Sequence, residues 1–108
     1  MSSVNKMQNL LVEVECLINE DLASMFNSNE YCFFLQKRVP MKLLSVYDQK
    51  NKFVLLIACD ELHALIFDPD EEDFGLGHFF GEEFLSNIEL VGPFLACARE
   101  FYRRRRVA

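Results

Sequence analysis

The N-terminal part of the chain repeats apolar positions with the period of an α-helix. Apolar side chains recur three or four residues apart, at Met7, Leu10, Leu11, Val14, Leu17, Ile18, Leu22 and Met25. Polar and acidic residues occupy the opposite face. This spacing predicts one amphipathic helix from Lys6 to Met25, with an acidic outer face.

The centre of the chain has the composition of β-strands. Short runs of aromatic and β-branched residues are separated by polar turns, and the predicted strands are Tyr31–Arg38, Met41–Asp48, Phe53–Cys59 and Leu62–Phe67. The gap at Asp60-Glu61 lacks the glycine that a tight hairpin prefers. A single buried helix over Phe53–Phe67 therefore stays open as an alternative to the hairpin.

The C-terminal third begins with an acidic loop and ends in a helix. Asp68–Asp73 is rich in carboxylates, and the glycines of Phe74–Gly81 predict that the loop continues. A short helix is expected within Glu82–Leu90, and Pro93 opens the last helix. The prediction is a single α+β domain over residues 1–108, with an N-terminal amphipathic helix, an antiparallel sheet of three to four strands and a C-terminal helix.

The composition indicates more apolar surface than a small core can bury. The chain has 108 residues, of which 51% are hydrophobic, with 11 Phe and no Trp. A domain of this size has one modest core. We therefore expect part of the apolar surface to be covered by another chain, and a homodimer is the simplest form of this.

The sequence also bears on the compartment. The first residues are polar, and the longest apolar run, Phe53–Cys59, is too short to span a membrane. The cysteines Cys16, Cys32, Cys59 and Cys97 are scattered in apolar contexts without a C-x-x-C pair, which favours reduced, buried thiols. We predict a cytoplasmic protein with no membrane span.

Charge is divided unevenly along the chain. The full chain carries 17 Asp/Glu and 11 Lys/Arg, and residues 99–108 hold 1 of the former and 5 of the latter. The first 98 residues therefore have a balance of 6 − 16 = −10, and the tail has 5 − 1 = +4. An acidic body with an arginine cluster at one end suggests contact with a charged partner.

No catalytic, cofactor or metal motif is complete. Asp68, Asp70 and Glu72 match the start of a calcium loop, but Asp73 stands where glycine is needed and Phe79 where a bidentate glutamate is needed. The glycines at 75, 77 and 81 miss the dinucleotide spacing by one position. A Cys59–His63 dyad would require a shared helical face and has no third member. We predict no enzyme, no cofactor and no metal site.

The function that these features favour is that of a small acidic protein-binding module, of the inhibitor, immunity, antagonist or chaperone type. In size, acidity and element order the chain resembles type III secretion chaperones, without a shared motif. Binding would use an apolar surface rimmed by carboxylates and a partner with a basic surface. The predicted contact residues are Asp68, Asp70, Glu71, Glu72, Asp73, Phe74, Phe79, Phe80, Glu82 and Glu83.

One variant of this hypothesis is a mimic of nucleic acid. The same carboxylates could stand in for phosphates and bind a DNA-binding protein, with affinity that falls steeply with salt. The alternative hypothesis is a regulatory nucleic-acid-binding protein that uses an anion site at Arg103, Arg104, Arg105 and Arg106, next to the rings of Phe101 and Tyr102. An acidic body opposes this alternative, and the arginines also complement the dipole at the end of a helix.

Overall fold

The computed structural model describes residues 3–47, 49–80 and 84–105. Three helices and five strands lie within these ranges. The helices are α1 (Ser3–Ser24), α2 (Asn29–Lys37) and α3 (Phe94–Arg103), and the strands are β1 (Arg38–Val46), β2 (Phe53–Cys59), β3 (His63–Asp68), β4 (Asp73–Phe80) and β5 (Phe84–Gly92). The predicted α+β class is confirmed, but the sheet has five strands rather than three to four.

The five strands form a closed barrel in chain order. Each strand pairs antiparallel with the next, and the barrel closes by a parallel contact between β1 and β5. That closure consists of two register pairs, Ser45 with Phe84 and Val46 with Leu85. It is extended by a hydrogen bond in which the Tyr47 amide donates to the Leu85 carbonyl at 2.7 Å.

Alternate residues of the strands fill the inside of the barrel. The interior cluster consists of Leu44, Val46, Val54, Leu56, Ala64, Ile66 and Leu85. Side chains two apart on a strand point the same way, so Val54 and Leu56 of β2 both enter this cluster. The barrel therefore has an apolar core of its own, independent of the helices.

The residues between them face outward and meet the helices. A second cluster, the outer cluster, joins the barrel to the helices. It contains Leu55, Ile57, Leu65, Phe67, Phe74 and Leu76 of the strands, Val14 and Ile18 of α1, Phe34 of α2, and Phe94, Cys97 and Phe101 of α3. Phe94 makes edge contacts with the rings of Phe34 and Phe74, at centroid distances of 5.0 and 5.5 Å. The strands thus carry apolar side chains on both faces, because one face lines the barrel and the other supports the helices.

The predicted strand Tyr31–Arg38 is wrong, since this segment forms α2 and the first residue of β1. Ser28 caps the helix, with its Oγ accepting from the Tyr31 amide at 3.1 Å. The Phe34 ring is buried between α2 and the outer face of the barrel. The aromatic content that suggested a strand therefore serves the packing of a short helix, and tertiary contact overrides local propensity.

The predictions for the region after the acidic loop are also wrong. The segment Phe74–Gly81, predicted as loop, forms most of β4 up to Phe80, and β5 begins at Phe84, where the sequence predicts a helix within Glu82–Leu90; residues 81–83 lie outside the described part. A Cβ atom on Gly75 would lie 2.4 Å from the Glu89 carbonyl oxygen, and one on Gly77 would lie 2.6 Å from Ile88 Cδ1. These glycines allow β4 and β5 to approach closely, which is a reason for glycine in a strand rather than in a loop.

The structure resolves the ambiguity over Phe53–Phe67 in favour of a hairpin. Asp60 takes the role that glycine plays in a tighter turn. Its Oδ1 accepts hydrogen bonds from the amides of Leu62 at 2.8 Å and His63 at 2.7 Å. Its own amide donates to the His63 carbonyl at 3.0 Å. An aspartate that bonds to backbone groups ahead of it is a turn former in its own right.

The prediction of four buried thiols holds for one cysteine. Cys97 is buried and Cys59 is half-buried, whereas Cys16 and Cys32 are exposed on α1 and α2. Burial raises the pKa of the Cys97 thiol, and its Sγ donates to the Gly75 carbonyl at 3.1 Å. Within the described ranges, no helix combines the length and the apolar character that crossing a membrane requires.

Candidate functional site

Part of the outer face of the barrel lies beyond the three helices. Ser45 of β1 is paired with Phe53 of β2 on one side and with Phe84 of β5 on the other. Directly paired residues share a face, and Leu43, two positions before Ser45, shares it too. Leu43 is paired with Leu55, which is buried in the outer cluster. We call Leu43, Phe53 and Phe84, with Ser45 between them, the outer strip.

The outer strip is apolar and accessible. Phe53 is 47% exposed, Phe84 43% and Leu43 38%. Tyr47, at the end of β1, adds another exposed ring. Met41 lies at the other end, where it packs against the outer cluster and lines a shallow groove with Val12 and Cys16 of α1. Several large apolar side chains on neighbouring strands mark a surface suited to contact with another molecule.

The acidic turn between β3 and β4 is held to the strip by an ion-pair network. Lys52, the residue before Phe53, donates from Nζ to Asp68 at 2.7 Å and to Asp70 at 2.9 Å. Asp68 is 4% exposed, and the Oδ1 atom that binds Lys52 also accepts from the Asp70 amide at 2.9 Å. Burial lowers the pKa of Lys52, but the hydrogen bonds to the two carboxylates outweigh it, and the net shift is upward.

The carboxylates of this turn therefore fall into two groups. Asp68 is a structural residue that joins the turn to Lys52, whereas Glu71 and Glu72 are exposed and Asp70 keeps a largely exposed side chain despite its ion pair. Glu72 has a φ of 56°, in the left-handed region. Negative charge is thus presented at the end of the barrel next to Phe53.

The predicted contact phenylalanines have different positions. Phe74 is 3% exposed and packs edge-on against Phe67 at 4.9 Å, so its ring is part of the core. Phe79 is half-buried against the barrel interior. Phe80 is the last residue of β4, and its side chain lies outside the described part of the structure. Glu82 and Glu83 also lie outside the described residues, immediately before Phe84 in the sequence.

Two arginines of the tail, Arg103 and Arg104, are paired with carboxylates of the chain. Arg103 Nε donates to Glu100 at 2.9 Å, and Arg104 bonds to Glu100 at 2.8 Å and to Glu89 of β5 at 2.7 Å. The hydrogen bond from Arg103 leads the interactions that lower the pKa of Glu100 to about 2. Arg105 has no carboxylate within ion-pair distance among the described residues, and Arg106 lies outside them.

The sequence prediction missed the outer strip because it placed the contact surface at the acidic loop Asp68–Asp73 and the phenylalanines that follow it. In Met41-Lys-Leu-Leu-Ser-Val46, Leu44 and Val46 turn toward the inside of the barrel, whereas positions 41, 43 and 45 turn outward. Apolar residues on both faces are the available signal. This pattern indicates a strand that is buried on both faces, but it does not show which outward side chains the helices cover and which stay exposed.

Among the described residues, no three histidine, cysteine, aspartate or glutamate side chains converge as a metal site would require. No protein-family model matches the chain, and neither the curated proteins nor the solved structures give a significant match. The candidate site therefore rests on its own geometry: an apolar strip on a rigid barrel wall, with an acidic turn beside it.

Proposed function

We propose that the protein is a non-enzymatic protein-binding module that docks through the outer strip. The observation that supports this most directly is the row Phe53–Ser45–Phe84 on three hydrogen-bonded strands, with both rings more than two-fifths exposed. Strand pairing fixes the positions of the rings before binding, so little backbone entropy is lost on association. Large aromatic side chains on a preformed surface are typical of binding hot spots.

The proposed partner is a different protein, with an apolar patch and basic side chains at its edge. The formal net charge of the chain is −6, and Asp70, Glu71 and Glu72 stand at the barrel end that also holds Lys52 and Phe53. Opposite charge at the rim speeds encounter and selects the orientation of docking. Two copies brought together through this strip would face each other with like charges.

The homodimer predicted from composition is the second candidate, because the same uncovered strip could pack against its own copy. The two candidates differ in stoichiometry and in their response to salt. Salt screens the repulsion between identical acidic surfaces and strengthens self-association, whereas it weakens attraction to a basic partner. Sedimentation equilibrium at two salt concentrations separates them.

The strip is tested by replacing Phe53 and Phe84 with serine in the full chain. A partner is first isolated from the source organism with the wild-type chain as bait, and the affinity of the purified pair is then measured by calorimetry. We expect Phe53→Ser and Phe84→Ser each to weaken binding at least about tenfold, because buried aromatic anchors contribute most of the energy of an interface.

The matched control is Phe26→Ser. Phe26 is 66% exposed in the turn between α1 and α2, so the substitution removes the same side chain from a site outside the strip. Binding should be unchanged in this variant. Equal losses in the control and the strip variants, or full affinity in the strip variants, would place the binding surface elsewhere. Circular dichroism of each variant verifies that the barrel is folded.

A further inference from the structure

A second concave site lies on the helix side of the barrel, away from the outer strip. Three elements meet there: the last turn of α2, the turn between β2 and β3, and the residues that follow α3. The cleft has a volume of about 450 Å³, which is the size of a small-molecule site. Phe33, Lys37, Leu62, His63 and Arg105 are among the residues that line it.

Two cations and two aromatic rings form a continuous stack along this cleft. Lys37 Nζ lies 5.8 Å from the centroid of the Phe33 ring. The Phe33 ring meets the Tyr102 ring edge-on at 5.6 Å, and the Arg105 guanidinium carbon lies 3.6 Å from the Tyr102 centroid. Arg105 is further fixed by a hydrogen bond from Nη1 to the Tyr102 carbonyl at 2.8 Å. Cation–π contact holds both charges in place and leaves hydrogen-bond donors for a ligand.

Four other cations of the described residues are bound to carboxylates. Arg38 is paired with Glu15, Lys52 with Asp68 and Asp70, and Arg103 and Arg104 with Glu100. Lys37 and Arg105 have no carboxylate within ion-pair distance in the described part of the chain. In a chain of net charge −6, two unpaired cations at one cleft form a local site for an anion.

The cleft is also lined by two carboxylates, Asp60 and Glu61. Asp60 directs one oxygen to the amides of Leu62 and His63, which fixes the turn. Glu61 is exposed on the same turn, at the solvent side of the cleft. The carboxylates thus lie on the turn between β2 and β3, whereas Lys37 is on α2 and Arg105 follows α3.

Two histidines lie next to the floor of the cleft. His63 and His78 are paired across β3 and β4, with ring centroids 4.7 Å apart. Burial is the main cause that lowers the pKa of His63, which favours its neutral form. The Nδ1 atom of His78 is buried and has no hydrogen-bond partner among the described residues. The cationic side chains that line the cleft are Lys37 and Arg105.

We propose that this cleft binds a small molecule that carries a carboxylate or phosphate group on an aromatic body. The oxyanion lies between Lys37 and Arg105, where the guanidinium offers two parallel donors. The aromatic part lies against Phe33 and Leu62. Within the described residues, this pair of cations suits a small oxyanion better than a polyanion, since the preceding arginines Arg103 and Arg104 are already bound to Glu100. This site shares no residue with the outer strip and does not depend on the proposed docking function.

The test is a titration of the isotope-labelled full chain at pH 7.5, followed in amide and side-chain NMR spectra. The probes are benzoate and phenyl phosphate, and the control ligands are acetate and inorganic phosphate, which carry the same anionic groups without the aromatic ring. We expect the aromatic probes to shift the signals of Leu62, His63 and the Arg105 side chain with a Kd on the order of 1 mM or tighter. The stronger of the two aromatic probes identifies whether carboxylate or phosphate is preferred.

The variants Arg105→Gln and Lys37→Gln should each weaken binding of the preferred probe about tenfold, since each removes one charge-assisted contact. The control Arg103→Gln removes an exposed arginine of the same tail that is bound to Glu100, and it should change Kd by less than about twofold. Absence of shifts with both aromatic probes would overturn the proposal. So would equal weakening by Arg103→Gln, or equal binding of acetate and benzoate, because these results indicate diffuse attraction to the tail.

Discussion

At the scale of single residues, two glycines decide how closely the last two strands approach. Gly75 and Gly77 are on β4, facing backbone and side-chain atoms of β5. The atom nearest to a Cβ on Gly75 would be a backbone carbonyl oxygen, which moves only with the strand. The atom nearest to a Cβ on Gly77 would be the tip of the Ile88 side chain, which can move or be removed. The same substitution therefore has different costs at the two positions.

Gly75→Ala should destabilise the protein by about 1–3 kcal/mol, because the added methyl group forces the β4 and β5 backbones apart. Gly77→Ala should cost less, and adding Ile88→Val should recover most of that loss by removing the Cδ1 atom that the new methyl group meets. Ile88→Val should give no such recovery in Gly75→Ala. Urea unfolding of the wild-type chain, the three single variants and the two double variants gives the coupling free energy between Ile88→Val and each glycine substitution. Equal rescue of both alanine variants would contradict the assignment of the contacts.

At the scale of secondary-structure elements, the Lys52 side chain connects two turns of the barrel. Lys52 lies in the turn between β1 and β2, and its side chain binds Asp68 at the end of β3 and Asp70 in the turn that follows. Sequence separation between these groups is 16 and 18 residues, so only the folded barrel brings them together. The acidic turn is therefore both a rim of the proposed docking surface and a part of the scaffold.

Lys52→Met should destabilise the protein by about 2 kcal/mol, because it leaves the Asp68 carboxylate buried without its cation. The control is Lys50→Met, which removes an exposed lysine from the same turn and should change stability by less than about 0.5 kcal/mol. Denaturant unfolding monitored by circular dichroism gives both values. A Lys52→Met variant as stable as the control would show that the buried carboxylate finds other compensation.

At the scale of the whole molecule, net charge and the outer strip act against each other. The strip favours contact between apolar surfaces, and a charge of −6 at pH 7 keeps identical copies apart. This balance is sensitive to pH, because the isoelectric point calculated from the sequence is about 4.8. Near that pH the repulsion vanishes while the apolar strip is unchanged.

Self-association should therefore increase as pH falls from 7.5 to about 5 at low salt, through loss of charge repulsion. In the Phe53→Ser, Phe84→Ser double variant the increase should be much smaller. Sedimentation velocity at matched concentrations measures both, and Phe26→Ser serves again as the control for general loss of apolar surface. An equal increase in the wild-type chain and the double variant would mean that a surface other than the strip drives association.

The sequence alone determined the features that depend on local period and overall composition. Helical spacing predicts a helix over Lys6–Met25, which α1 (Ser3–Ser24) overlaps, and the apolar run at Phe53–Cys59 matches β2. The acidic loop predicted at Asp68–Asp73 overlaps the turn between β3 and β4, whereas the sequence left the hairpin before it open against a single helix. These features are local, because the hydrogen bonds and the apolar faces involved lie within one element or one turn.

Tertiary structure alone decided which apolar residues stay exposed. Phe74 looked like a surface ring beside an acidic loop, yet it is buried under α3, whereas Phe53, in the same apolar run as the core residues Leu55 and Ile57, is half-exposed. The glycines of β4 and the aromatic residues of α2 also have packing roles that depend on their neighbours in the folded chain and not on the local sequence. The physical reason is that a barrel strand is apolar on both faces, so its sequence does not record where the cover of helices ends.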